Sequence, residues 1–172
     1  MKSVIVLVLL AVLILPAAAL AGGLEAALAD PAWNGRSVPS GQQCTKFGGS
    51  GAAPALQVSG IPAQADALVL SFGDKDYSAL SDGGHGVVSY AVTPGAGSVT
   101  VPALPGETFD LPAGFTLIHE HRGWSRPGAY LPPCSGGKSH LYVVTVKAVK
   151  LGPAGSGAFE ELDKTKVKLG YY

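Results

Sequence analysis

The sequence predicts a mainly β domain, a sandwich with short peripheral helices. Two observations carry this. The 24 glycines and 13 prolines are spread along the chain as punctuation rather than gathered into a linker or repeat. Between them stand short apolar runs of strand length, the pattern of a β-rich fold. Helical signals are confined to the margins, so layered sheets are the architecture that would bury these strands.

Taken in order, Leu24 to Leu28 reads as a short helix. Trp33 to Ser59 is loop-rich, with Gly48 to Gly51 its most flexible part. Ala67 to Phe72 (ALVLSF) is the first clear strand, and its continuous apolar character predicts burial on both faces. A polar stretch from Gly73 to Gly84 separates it from a second strand at Gly86 to Val92. Further strands are expected at Ser98 to Val101, Phe115 to His121 and, strongest of all, Leu141 to Val149 (LYVVTVKAV). Ala158 to Thr165 (AFEELDKT) reads as a helix near the C-terminus, ahead of a final Val167-Lys168-Leu169.

The first 21 residues have the grammar of a secretory signal peptide. Lys2 gives a positive start, Val4 to Leu15 is unbroken and apolar, and Ala19-Leu20-Ala21 is an A-x-A exit. The alternative is an uncleaved anchor. A spanning helix needs about 20 apolar residues, however, and no basic stop-transfer cluster follows this shorter run. The absence of a cysteine at the exit argues against lipid attachment. The expected mature domain, residues 22–172, is about 150 residues, enough for one domain with a real core. A periplasmic or secreted location is expected.

The whole chain has 12 basic and 12 acidic residues, and loss of Lys2 with the leader leaves a formal charge of −1. That balance argues against nucleic acid, which needs a basic surplus, and gives no support for a polybasic membrane surface. The two cysteines, Cys44 and Cys134, fit no zinc spacing. In an exported protein they favour one disulfide, worth about 4 kcal/mol for a loop of about 90 residues; two free thiols are the alternative.

Four features hold the unusual chemistry: Asp74-Lys75-Asp76, His85, Tyr130 to Cys134, and His140-Leu141-Tyr142. Each adjoins a predicted strand, where a rigid scaffold can hold a site. Taken singly they have plain explanations. Aspartates favour turns by bonding their own backbone, and a histidine at a strand start is commonly a surface or capping residue. His119-Glu120-His121 places two imidazoles at i and i+2, on one face of a strand, so they could ligate one metal. The spacing resembles the cupin pattern, but no glutamate follows in Arg122 to Arg126, and a solvent-facing strand edge is the better expectation. There is no G-x-S-x-G elbow and no phosphate loop, and no cofactor is implied.

Read together, these segments resemble the phosphatidylethanolamine-binding protein (PEBP) family, in its bacterial Raf-kinase-inhibitor-like branch. Gln43-Cys44-Thr45 and Gly48 to Leu56 resemble the family's Cys-containing glycine segment and its S-P-P-L motif. Val58 to Pro62 resembles W-S-G-V-P, Ala67 to Asp76 the strand ending in D-P-D, and Gly84 to Val88 the W-H-W-V-V segment. Gly128 to Tyr142 resembles the G-Y-G-G-P-C-P-P…H-R-Y block, and Ala148 falls on the alanine of Y-A-L. The likeness covers about 110 residues in the right order. It implies a β-sandwich with a small anion pocket at one end. Carried over by matching motif, the pocket residues are Asp74, His85, His140 and Tyr142, with Pro133 shaping the rim. It also places both cysteines beside the pocket, where a bond is compatible but not required. The departures are Lys75 for proline, Leu141 for arginine, and Gly84 and Gly86 for the aromatics flanking His85. They lead us to expect a wider, less aromatic pocket.

The expected function is therefore non-enzymatic binding of a small anionic or phosphorylated, phospholipid-like headgroup. Histidines would donate to phosphate oxygens, so such ligands should bind more tightly near pH 5.5 than near pH 8. An alternative is an inhibitor of a protease or other enzyme, which would dock a protein target on an exposed loop at Gly95 to Gly106. A metal-dependent enzyme built on His119 and His121 is a third class.

Overall fold

The computed structural model describes residues 23–153 and 156–172. The expected leader, residues 1–21, lies outside the described residues. Among the described residues ten strands form three sheets, and every strand pair is antiparallel. The strands are β1 (Glu25–Leu28), β2 (Ala52–Ala53), β3 (Leu56–Ser59), β4 (Ala67–Asp74), β5 (Val87–Ala91), β6 (Ser98–Val101), β7 (Leu104–Pro105), β8 (Phe115–His119), β9 (Leu141–Leu151) and β10 (Phe159–Tyr171). The large sheet runs β10-β9-β4-β5-β8, the second β1-β3-β6, and β2 pairs with β7. The expected mainly β sandwich is what the chain forms.

Alternation explains the layers. Leu68, Leu70 and Phe72 of β4 and Val144, Val146 and Ala148 of β9 point inward, where they meet Leu56, Val58 and Val101 of the second sheet in one buried core. On the opposite face of β4, Ala67 and Val69 are buried with Val149, with Val87 and Ile118 packed against them. The expected burial of this strand on both faces holds.

Both expected helices are strands. Glu-Glu-Leu-Asp-Lys favours helix locally, but β10 pairs with β9 from Phe159↔Leu151 to Tyr171↔Leu141. From Lys164 onward its sequence alternates, with Val167 and Leu169 buried and Lys164, Lys166 and Lys168 exposed. Ion pairs from Glu161 to Lys147 (2.7 Å) and to Lys164 (3.0 Å) fasten the segment that reads as helical. Leu24 to Leu28 becomes β1 because Ala26–Leu28 pair with Leu56–Val58, while the Leu24 amide donates to Asp163 Oδ2 at 2.7 Å. Helical structure among the described residues is limited to the 3-10 turns Thr45–Phe47 and Ser78–Leu80. No described helix is long and apolar enough to cross a membrane.

The segment Gly95 to Gly106 is not a free loop. It contains β6 and β7, and buries Val101 and Leu104. What it offers a protein target is an edge strand and an exposed turn at Gly95 to Ser98 rather than a free loop. Cys44 and Cys134 are bonded, with Cα atoms 5.3 Å apart.

Candidate functional site

The site lies where β4 ends and β9 begins. These strands pair up to Asp74↔Tyr142, so a residue just past the end of β4 and one just before β9 meet across the same sheet edge. Asp74 is 3% exposed and both of its oxygens are used. Oδ2 accepts the His140 Nδ1–H at 2.7 Å, and Oδ1 accepts the Asp76 amide at 2.9 Å. Asp76 in turn accepts the Leu141 amide at 2.7 Å. The aspartates thus serve both readings at once: Asp76 is a turn residue, and Asp74 orients an imidazole. Lys75 donates its amide to the Leu141 carbonyl at 2.8 Å, a bond that proline could not make.

His85 is 2% exposed and sits on the floor. Its Nδ1 lies 2.8 Å from the Leu131 carbonyl. A carbonyl only accepts, so Nδ1 carries the proton and Nε2 is left with a lone pair. Nε2 is buried and has no hydrogen-bond partner. Burial removes the water that would stabilise a charged ring and lowers its pKa to about 4. The Leu131 bond and Asp74 oppose that shift, while His121 and His140 add to it. His85 is therefore neutral at physiological pH. This corrects the expectation that it donates to an anion as an imidazolium.

Asp74, His85 and His140 line one cleft of about 290 Å³. Tyr142 and Pro133 do not line it. Tyr142 is buried beneath, its ring edge-on to His85 at 5.2 Å, and its hydroxyl accepts the Cys134 amide at 3.1 Å. Burial pushes the phenol up to about 12. Pro133 is buried, and its carbonyl accepts the Cys44 amide at 3.0 Å. Both act as supports.

The rest of the lining was not anticipated. Lys46 and Phe47 come from the turn after Cys44, and Ser135 and Lys138 from the loop after Cys134. The disulfide thus brings two lysine-bearing loops to one mouth, and residues flanking paired cysteines beside a suspected site were the available signal. Tyr77 and Trp124 complete the wall, their rings 6.1 Å apart, with Trp124 73% exposed. The cleft is accordingly not short of aromatics; they come from other loops. Nor could residues 84 and 86 carry them. A Cβ at Gly84 would fall 2.3 Å from Leu80 Cα, and one at Gly86 1.9 Å from the Ala129 carbonyl oxygen.

Glu107 braces this mouth from behind. Its carboxylate accepts the Thr45 amide (2.8 Å), the Thr45 hydroxyl (3.0 Å) and the Ser125 hydroxyl. Desolvation acts to raise its pKa, but these bonds and the Arg126 amide outweigh it and hold the carboxyl below its ordinary value.

His119 and His121 do not form a pair. His119 is exposed and borders a separate shallow depression with Glu120 and Arg122. His121 lies past the end of β8, buried, with Nε2 on the Arg126 carbonyl at 2.8 Å. Among the described residues no group of three or more His, Cys, Asp or Glu side chains is placed to hold a metal ion.

No family model matches the chain, and no curated protein matches it. Solved structures do. A PEBP homologue from Chlamydia trachomatis superposes with a TM-score of 0.52 at 19% identity, covering 87% of this chain and 97% of that one. YbcL from E. coli, described as a member of the mammalian PEBP family, gives 0.56 at 18% identity over 88% and 98%. The sandwich described above is the fold of the phosphatidylethanolamine-binding protein family.

Proposed function

We propose that the chain is a non-enzymatic binding protein that takes a small anionic, phospho-headgroup-like ligand in the cleft between Lys46, Lys138 and His140. The single observation that carries this is convergence. An Asp74–His140 pair, a second buried imidazole and two exposed ammonium groups, drawn from four chain segments, meet at one aromatic-walled mouth. The lysines attract the anion, and His140, oriented by Asp74 through Nδ1–H, donates to it from Nε2 when the ring is protonated. The fold relatives support the reading, one being described as a PEBP homologue and the other as a PEBP-family member.

Absence of catalysis is part of the proposal. The cleft's aliphatic hydroxyl, that of Ser135, donates to the Tyr172 carbonyl at 2.5 Å rather than facing a base. The nearby phenol stays protonated, and both thiols are consumed in the disulfide. The disulfide also favours an oxidising compartment, in keeping with an exported protein.

Calorimetric titration with inorganic phosphate at pH 6 tests the reading. Saturable binding that falls at least tenfold in a Lys46→Ala, Lys138→Ala double variant is expected. Binding unaffected by the double substitution, or no binding at all, would overturn it.

A further inference from the structure

His85 bears on which phosphates the cleft prefers, an inference that rests on the proposed anion-binding reading. Its tautomer is fixed by the Leu131 carbonyl, so the one polar atom it can offer a ligand is the lone pair on Nε2. That atom is buried, and nothing in the protein donates to it. An unprotonated phosphate oxygen placed against it would set lone pair against lone pair. A P–OH group would donate to it and satisfy an acceptor otherwise left without a partner.

We infer that the cleft selects singly protonated phosphomonoesters, the hydrogen-phosphate monoanion, over phosphodiesters and over the phosphomonoester dianion. The P–OH proton would rest on the Nε2 side of the phosphoryl group, with the remaining oxygens turned to His140 and the mouth.

The charges facing His85 are consistent with this. Asp74 comes from β4, His121 from beyond β8, and His140 from the start of β9; the Tyr142 ring packs against it from β9. Lys46 and Lys138 stand farther out at the mouth. The lysines favour a second negative charge on the ligand, but they are exposed, and solvent screens them. The unpaired acceptor on the floor is shielded from water, so its mismatch with a dianion is the larger effect. His85 lines the cleft, but its Nε2 is closed to bulk water, so the floor must shift when a ligand oxygen reaches it.

Methyl phosphate and dimethyl phosphate make the deciding pair. At pH 5 both carry one negative charge, and only methyl phosphate has a P–OH. Calorimetry on the purified protein should show methyl phosphate binding at least tenfold more tightly. Its second proton leaves near pH 6, so its affinity should fall about tenfold per pH unit from pH 6.5 to 8. Dimethyl phosphate does not titrate there, and its profile reports the protein's own groups. A His85→Leu variant should bring the two ligands within about twofold at pH 5; the wild-type pH profile decides the matter even if that variant does not fold. Equal wild-type affinities at pH 5, or methyl phosphate binding that strengthens above pH 6.5, would overturn the inference and leave the anion site standing. Failure of both probes and of inorganic phosphate to bind would overturn the proposed function itself.

Discussion

Replacing Glu107 with glutamine should destabilise the fold by about 2 kcal/mol at pH 7. The side chain joins three loops through one carboxylate, with Oε2 accepting the Thr45 amide and Oε1 accepting the hydroxyls of Thr45 and Ser125. Glutamine can keep the Oε1 contacts. It must put an NH₂ where Oε2 was, so two donors face each other and the Thr45 amide loses its acceptor. A hydrogen bond to a charged group is worth about 1.5–3 kcal/mol. Glu107 is half-buried, which places the loss toward the lower part of that range. Its backbone also sits at φ 55°, a conformation that a glutamine shares equally, so strain cancels in the comparison.

The pH dependence fixes the sign. The folded-state pKa lies below the unfolded value of about 4.3, so the contribution is complete above that value. It is lost as pH falls through the lower, folded value. Urea denaturation followed by tryptophan fluorescence should show the midpoint of Glu107→Gln lowered by about 1 M at pH 7 with an unchanged slope. The gap between wild type and variant should hold from pH 7 to 5 and close toward pH 3. A gap under 0.5 kcal/mol at pH 7, or one that persists undiminished at pH 3, would refute the account of Glu107 as a charged brace. Phosphate affinity should fall too, because Thr45 and Ser125 adjoin Lys46 and Trp124 at the mouth.

Three further outcomes are expected. A Cys44→Ser, Cys134→Ser double variant releases a crosslink between residues 90 apart and should lose about 4 kcal/mol, read as a lower calorimetric Tm; an unchanged Tm would show that the bond constrains nothing. Gly86→Ala should cost more than about 3 kcal/mol, since φ is +111° and the new methyl meets the Ala129 carbonyl oxygen at 1.9 Å; wild-type soluble yield and denaturation midpoint would contradict that close approach. Lys75→Pro restores the residue of the family pattern but removes the amide that donates to Leu141, for an expected loss of about 1–3 kcal/mol in urea denaturation. A neutral or stabilising result would mean that this bond is dispensable.

The parts of the fold that were readable are those where local pattern and tertiary role agree. β4 and β9 open on runs dominated by apolar residues, β6 alternates Ser98 and Thr100 with Val99 and Val101, and all three appear almost where the pattern puts them. β3 escaped because Leu56-Gln57-Val58-Ser59 gives only two turns of alternation inside a glycine- and proline-rich segment, and β2 and β7 are two residues each. β10 reads locally as helix because its first half is made of helix formers; only the ladder from β9, absent from any local window, decides otherwise. At the site, Asp74 and His140 were legible as a motif, yet their 2.7 Å contact joins residues 66 apart. The charge state of His85 was beyond sequence reasoning altogether, since it depends on a carbonyl 46 residues away and on the depth to which the chain packs around it.

That depth has a local cause. The family pattern flanks this histidine with aromatics, and here glycines stand instead. The space is taken by backbone: Leu80 Cα closes over Gly84, and the Ala129 carbonyl over Gly86. The Gly86 approach belongs to the same segment that holds His85, where the Leu131 N–H donates to the His85 carbonyl and the His85 Nδ1–H donates to the Leu131 carbonyl. The histidine is thereby packed in and stripped of solvent, and it cannot hold a proton near neutral pH. The proposed anion site still needs positive charge, and exposed groups must supply it. Lys46 and Lys138 meet that need from loops tied together by the disulfide, while the aromatic wall is rebuilt from Phe47, Tyr77 and Trp124. Replacing bulk with glycine around one buried ring thus moves the cationic part of the site outward to the mouth and leaves an acceptor at its floor. On the proposed reading, the ligand that would suit such a polarity is an anion that brings its own proton.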